Sequence, residues 1–306
     1  MEGAYYNGQY LNRLERLGYS QAEIDNKLER TFEEMFYGPE GVRLCHCAGP
    51  DMMYIEDTGN HDVRTEGMSY AMMFCVQMNR QKEFDCLWRW VVTHMYLTEG
   101  ENAGYFAWSC HTDGSKNSDG PAPDGEEFFA MSLFFAANRW GSGEGVLDYA
   151  SWARRILHAC VHKGEEAGSG FPMWNPENHL IKFIPNCEFT DPSYHLPHIY
   201  EIFALRRDEC DRPFWHAAAA ASRQYLRKAC HARTGLSAEY AEYDGRPHRG
   251  DQPDRHDWFF SDAYRTLGNI ALDAQWFGDK DGWAQETAAH IQQFFEEKEH
   301  WQTNGI

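Results

Sequence analysis

Residues 126–140 read EEFFAMSLFFAANRW and are apolar nearly all the way round. A helix with that pattern must be covered on every side. Residues 20–36, SQAEIDNKLERTFEEMF, instead carry charge along one face, as an outer helix does. An alternation of fully buried and half-exposed helices implies two concentric layers. A ring of helical hairpins, inner helices against outer ones, satisfies it. The periodicity predicts helices over 20–36, 67–79, 82–97, 125–140, 148–162, 195–206, 213–230, 260–277 and 282–298. The expected fold class is therefore all-α, a six-hairpin (α/α)6 barrel formed by residues 1–306 as a single domain. Nine helices fall short of a closed ring of that kind. The expectation is a barrel that lacks its last helices.

The segments between the helices, such as YGPEGVR, TDGSKNSDGPAPDG, HKGEEAGSGFPMWNPENH and YDGRPHRGDQPDRHD, are rich in Gly, Pro, Asp and Asn. They read as loops rather than linkers, because each is short and flanked by strong helical patterns. Short extended pieces are expected only in places such as HLIKFIP.

Composition narrows the function. The formal net charge is −19, which repels a phosphate backbone and an anionic membrane surface alike. A neutral substrate suits the chain better. Aromatic residues make up 15% of it, with 11 Trp, 16 Tyr and 19 Phe. Most must be core, but the surplus suits a groove that stacks flat ligands such as sugar rings. Nine cysteines, an odd number without a regular spacing, read as reduced thiols of a cytosolic protein. Cys45-His46-Cys47 lacks a second ligand pair at zinc spacing, so no metal is expected. The start, MEGAYYNGQYLNRLERLGY, lacks the basic-then-apolar pattern of a secretory signal. No window reaches the roughly 18 apolar residues of a membrane span. A cytoplasmic location is expected.

Three acids share one arrangement. Glu66 stands just ahead of Met68, Ala71, Met72, Cys75 and Val76, one apolar helix face. Asp124 opens the helix in PAPDGEEFFAM, and Asp262 opens the one in FSDAYRTLGNIALDAQWF. In a helix ring the starts of the inner helices gather at one end, which brings distant residues together. Each acid also has a plain structural reading. Thr65 would cap the helix ahead of Glu66. Asp124 with Glu127 resembles a capping box. Asp262 would be an ordinary first-turn acid. Glycoside hydrolysis needs two carboxyl groups in different protonation states, about 6.5–9.5 Å apart when the enzyme inverts. A helix start favours the ionised form, so a proton donor there needs apolar cover or a nearby like charge, such as Asp124 beside Glu66.

Four motifs, TEGMSYAMM, PAPDGEEFFAMSLFFAANRWG, DPSYHLPH and FSDAYR, occur in one order. Together the chain resembles glycoside hydrolase family 8 and, within it, the reducing-end xylose-releasing exo-oligoxylanases. The resemblance runs from about Tyr5 to the last residue. It implies an (α/α)6 barrel that hydrolyses β-1,4 links with inversion and without metal or cofactor. Its general acid falls on Glu66 and its general base on Asp262. Asp124 would bind and distort the sugar at the cleavage point, and Tyr194 would help hold the attacking water. Trp108, in YFAWSC, is a candidate sugar-stacking wall. Arg265 would orient Asp262 from i+3, and Asp62 with Arg64 would orient Glu66.

Members of the family continue for several helices past the point where this sequence stops. The resemblance therefore implies a missing closing segment, supplied in the alternative by a second chain or segment. The implied partner is a xylo-oligosaccharide, with neither nucleic acid nor membrane. Two other readings share the ring. One is a sugar epimerase or unsaturated-glucuronyl hydrolase, with His195 and His198 as the histidines an epimerase would use. The other is a non-catalytic oligosaccharide-binding protein.

Overall fold

The computed structural model describes residues 2–166, 168–206, 209–250 and 255–297. Parts of three expected elements lie outside them: one residue of the 162–179 loop, residues 251–254 of the 243–257 loop, and the end of the last helix with the polar tail beyond it. In chain order the helices are α1 (Ala4–Asn7), α2 (Arg13–Arg16), α3 (Gln21–Tyr37), α4 (Thr65–Gln77), α5 (Gln81–Trp90), α6 (Pro123–Trp140), α7 (Tyr149–His162), α8 (Pro197–Arg206), α9 (Arg212–Ala229), α10 (Arg265–Phe277) and α11 (Trp283–Glu296). Every helix predicted from periodicity is present. The single turns α1 and α2 are additional, being too short to show a period. Among the described residues four three-residue strands also form: β1 (Cys45–Cys47), β2 (Met53–Ile55), β3 (Asp62–Arg64) and β4 (Ser109–His111).

The chain divides into two compact units. One runs from Tyr10 to Pro172. In it α6 is buried on nearly every side, through Phe129, Ala130, Met131, Leu133, Phe134 and Ala136. It packs against α4 and α7. By contrast α3 buries only Ile24, Phe32 and Phe36. That is the inner-and-outer distinction the sequence patterns imply. The start of α3 carries a capping box, with Ser20 Oγ accepting from Glu23 N and the Glu23 carboxylate accepting from Ser20 N. Much of the aromatic surplus lies in cores, as the fully buried Trp88, Trp90, Tyr105 and Phe106 show in this unit.

The other unit holds Met1–Gln9 and Met173–Ile306. There α8 packs on α9, and α10 packs on α8 and α11. A hydrophobic cluster joins Tyr225 and Leu226 of α9 to Ile270 of α10 and Ala284 of α11. The first residues rest on the end of α10. Glu2 bridges to Gly278, and a side chain at Gly3 would strike the Trp276 carbonyl oxygen at 2.3 Å. The expected extended piece near HLIKFIP is an isolated bridge between Trp174 and Ile181.

Two helices start two or more residues later than expected. Helix α8 begins at Pro197 rather than residue 195, because a residue preceding proline is disfavoured in the helical region. Residues 192–194 form a separate 3-10 turn. Asp262 lies not in the α-helix but in a 3-10 turn, Ser261–Tyr264, that leads into α10.

Candidate active site

The first group of candidate residues is built where β3 runs into α4. Strand β3 pairs antiparallel with β4 in the register Asp62↔His111, Val63↔Cys110 and Arg64↔Ser109. The pairing carries on past the strand, with Thr65 N donating to the Trp108 carbonyl at 3.0 Å. Glu66, second residue of α4, is half-buried. The helix cap is Arg64, whose side chain does not cap, so Thr65 is not the cap that its position suggested. Thr65 Oγ1 instead hydrogen-bonds Glu66 Oε2 at 3.3 Å. Asp62 and Arg64 pair with each other, and the Glu66 charge also acts on Arg64. Arg64 Nε donates to Asp62 Oδ1 at 3.0 Å, and Ser109 Oγ donates to Asp62 Oδ2 at 2.9 Å. Burial opposes the charge of Arg64, but the hydrogen bond and charge of Asp62, then the charges of Asp57 and Glu66, hold its pKa above the usual value. The same guanidinium lies 5.2 Å from the ring centroid of Trp108, which is half-buried rather than core.

Asp124 is buried in the first turn of α6, behind Pro123. The cap of that helix is Ala122, so Asp124 and Glu127 do not form the capping box that their spacing resembles. The starts of α4 and α6 touch. A Cβ on Gly125 would lie 2.5 Å from Thr65 Cβ, so only glycine fits there. That contact brings the Glu66 and Asp124 turns side by side. Glu126 supports the same group from below. It is fully buried, and its Oε1 accepts from Phe106 N at 2.9 Å. Burial pushes its carboxyl well above the usual range, against that N–H, with the Asp124 charge adding to the rise. Glu126 thus anchors the chain leading to Trp108.

The second group lies in the other unit. Arg265 Nη2 meets Asp262 Oδ2 at 2.5 Å, the i+3 pairing that the sequence spacing offered. Asp262 is half-exposed and Arg265 is mostly covered. The Arg265 guanidinium carbon stands 5.9 Å from the ring centroid of Tyr194, and Tyr194 is buried. Asn269 Nδ2 ties α10 to the Tyr194 turn by donating to Ser193 O at 2.7 Å. Two further acids stand near Asp262. Asp191 caps the Pro192–Tyr194 turn, with Oδ1 accepting from Ser193 N at 2.6 Å. Burial raises its carboxyl to about 7; Arg265 and the Ser193 bonds oppose the rise, and Asp262 adds to it. Glu239 pairs with His256 Nδ1 at 2.6 Å.

The sequence profile of glycosyl hydrolases family 8 matches residues 19–304. The chain belongs to that family. It is 54% identical over 299 residues to the reducing-end xylose-releasing exo-oligoxylanase of Halalkalibacterium halodurans, covering 97% of this chain and 76% of the relative. It is 56% identical over 278 residues to the enzyme so named in Bifidobacterium adolescentis, covering 91% of this chain and 72% of that one. A solved structure of the Paenibacillus barcinonensis enzyme complexed with xylose superposes with a TM-score of 0.94 at 54% identity, covering 97% of this chain and 78% of that chain. The fold class is the all-α, (α/α)6-barrel class of family 8, and the chain is a glycoside hydrolase.

Within this family 8 chain the structure groups Glu66, Asp124 and Trp108 in one unit and Asp262, Arg265 and Tyr194 in the other. His195 is fully buried between two hydroxyls, Thr190 Oγ1 at 3.0 Å and Ser222 Oγ at 2.9 Å. Burial lowers the pKa of both His195 and His198 to about 3. Both are neutral and enclosed, which argues against an epimerase chemistry through them. A cavity of about 340 Å³ opens elsewhere in the Asp262 unit, lined by Tyr6, Arg223, Asp273, Phe277 and Trp283, and none of the candidate acids faces it. Sequence reasoning missed Asp191, Glu239 and Glu126. Asp191 and Glu126 lie inside quoted motifs, so their positions were visible but their burial was not. Nothing local marks Glu239.

Proposed function

We propose that this chain is an inverting glycosidase that cleaves β-1,4-xylosidic bonds of short xylo-oligosaccharides, releasing xylose from the reducing end. The observation that carries the reading is the identity of 54–56% to enzymes named for that reaction, across more than nine-tenths of this chain. The side chains fit the chemistry. Glu66 gives its proton to the glycosidic oxygen as the bond to the anomeric carbon breaks. A water attacks that carbon from the opposite face, and Asp262 takes the proton the water sheds. Arg265 Nη2, 2.5 Å from Asp262 Oδ2, orients that carboxylate. The close approach of Gly125 to Thr65 sets the Asp124 turn beside Glu66. In this reading Asp124 also binds the sugar at the cleavage point, Tyr194 holds the water and Trp108 stacks a ring. In this reading residues 1–306 act as a single catalytic domain. Nine free cysteines suit a cytoplasmic site of action.

Xylotriose labelled at its reducing end tests the reading, followed by proton NMR. Labelled xylose and xylobiose that is first α are expected, since inversion converts the β centre. Xylobiose that is first β would refute inversion, and release of unlabelled xylose would refute reducing-end action. Glu66→Gln should retain xylotriose binding and lose turnover by on the order of 10²–10⁴-fold. A fluoride leaving group, which needs no proton, should restore much of the rate. Wild-type turnover by Glu66→Gln on xylotriose would remove Glu66 as the acid.

A further inference from the structure

Asp262 sits on a stretch of chain whose large aromatic side chains are mostly open to solvent, with only the small Ala263 buried beside it. Phe259 and Phe260 before it are 37% and 52% exposed, and Tyr264 after it is 69% exposed. Ser261, the residue immediately before it, has φ +43°, in the left-handed region that a residue with a Cβ avoids. Such a conformation persists only where the surroundings over-determine it. On the C-terminal side Asp262 has Arg265, at 2.5 Å. On the N-terminal side the fixing groups lead to Glu239.

Glu239 is 5% exposed, an unusual place for a carboxylate that is not a candidate acid or base. Its backbone N donates to the Trp258 carbonyl at 2.8 Å, and Tyr240 N donates to the His256 carbonyl at 2.8 Å. The two segments are therefore zipped together three residues ahead of Ser261. The side chain completes the joint. Glu239 Oε2 bonds His256 Nδ1 at 2.6 Å, and His256 is stacked on Tyr240 at 4.3 Å with 13° between the rings. The Ser261 side chain hydrogen-bonds the same carboxylate. His256 and Asp262 are the titratable groups that act on Glu239 among the described residues. Burial raises its carboxyl, His256 and Ser261 oppose the rise, and the Asp262 charge adds to it.

We infer that Glu239 is a positioning residue for the general base: held by His256, it grips the Ser261 hydroxyl, keeps the Ser261 backbone left-handed and so fixes the direction of Asp262. The inference rests on the reading of Asp262 as that base. In this role Glu239 need not touch substrate. It acts through the backbone of the residue that precedes the base, and Arg265 acts from the other side.

The test is steady-state kinetics on xylotriose, with thermal midpoints, for Glu239→Ala, Ser261→Ala, Ser261→Gly, the double variant Glu239→Ala/Ser261→Gly, and Asp262→Asn. A misplacement of about 1 Å costs on the order of 10²-fold in rate, so Glu239→Ala and Ser261→Ala should lower kcat by roughly 10–100-fold with KM within about threefold. Glycine adopts positive φ without strain. Ser261→Gly should therefore keep more kcat than Ser261→Ala, and the double variant should recover part of what Glu239→Ala lost. Wild-type kcat in Glu239→Ala overturns the inference. So does equal kcat for Ser261→Ala and Ser261→Gly, a comparison that decides the matter even where Glu239→Ala does not fold. Asp262→Asn separates the two levels. An inactive Asp262→Asn with an unaffected Glu239→Ala refutes the positioning role alone, whereas an active Asp262→Asn refutes the base and the role built on it.

Discussion

Asp191→Asn tests the charge balance around Asp262 through stability. Asp191 is 1% exposed, and its carboxyl, ordinarily near 3.8, is raised to about 7 by burial. The charged groups that act on it are Arg265, which opposes the rise, and Asp262, which adds to it; Tyr225 feels its charge in turn. Between those two pH values the folded chain holds a proton that the unfolded chain has released. Stability from this group is thus complete below about pH 4, falls as pH rises towards 7, and is level above that. At 1.36 kcal/mol per pH unit, the fall is about 4 kcal/mol. Asparagine stays neutral throughout and keeps an oxygen to accept from Ser193 N, as Asp191 Oδ1 does at 2.6 Å. The assay is denaturant unfolding of both proteins at intervals from pH 4 to pH 8. Titrations elsewhere are shared and cancel in the difference. The variant should gain on the wild type by up to about 4 kcal/mol across that range. A difference that stays constant with pH would show that Asp191 does not titrate between the folded and unfolded states as its burial requires.

Two more substitutions probe the Glu66 side. Gly125→Ala places a methyl group 2.5 Å from Thr65 Cβ and should cost about 1–3 kcal/mol in unfolding free energy, with kcat falling because the Glu66 and Asp124 turns are forced apart. Unchanged kcat in a destabilised variant would dissociate that contact from catalysis. Trp108→Ala should raise KM for xylotriose while costing less stability than Trp88→Ala, which removes a fully buried ring and should cost about 3–5 kcal/mol. Equal stability losses with an unchanged KM would make Trp108 a core residue.

The helices were legible because their determinants are local. Helix α6, expected over 125–140, spans Pro123–Trp140, and α9, expected over 213–230, spans Arg212–Ala229. A period of 3.6 residues shows in any window of that length. Strands of three residues cannot show a period of two, and β1 to β4 were not anticipated. The start of α10 was misjudged for a different reason. The sequence Phe260-Ser261-Asp262 reads as helix, but Ser261 is held left-handed by a carboxylate more than twenty positions earlier. The same division applies to the candidate site. Glu66, Asp124, Asp262 and Arg265 announce themselves by standing at helix starts or one turn apart. Asp191, Glu239 and Glu126 act through burial, and burial depends on partners such as Arg265, His256 and Phe106 that no local pattern reveals.

The misread helix caps carry the more general point. At α4 and α6 the acids lie one step inside the helix, with the caps left to Arg64 and Ala122, whose side chains do not cap. An Asp, Ser or Thr at either cap position would stabilise its helix by roughly 0.5–2 kcal/mol. The chain forgoes that gain at both starts, although α3 takes it through Ser20 and Glu23. What the two starts hold besides are backbone bonds and close approaches, Thr65 N on Trp108 O and Gly125 against Thr65, while Asp124 Oδ1 accepts from Gly125 N at 3.1 Å. A carboxylate that caps is tied to its own helix and held ionised by it. One that must carry a proton to a sugar oxygen cannot also do that work. In the proposed reading of Glu66 as the acid, a cap position filled by Arg64 rather than by that carboxylate is what the role requires.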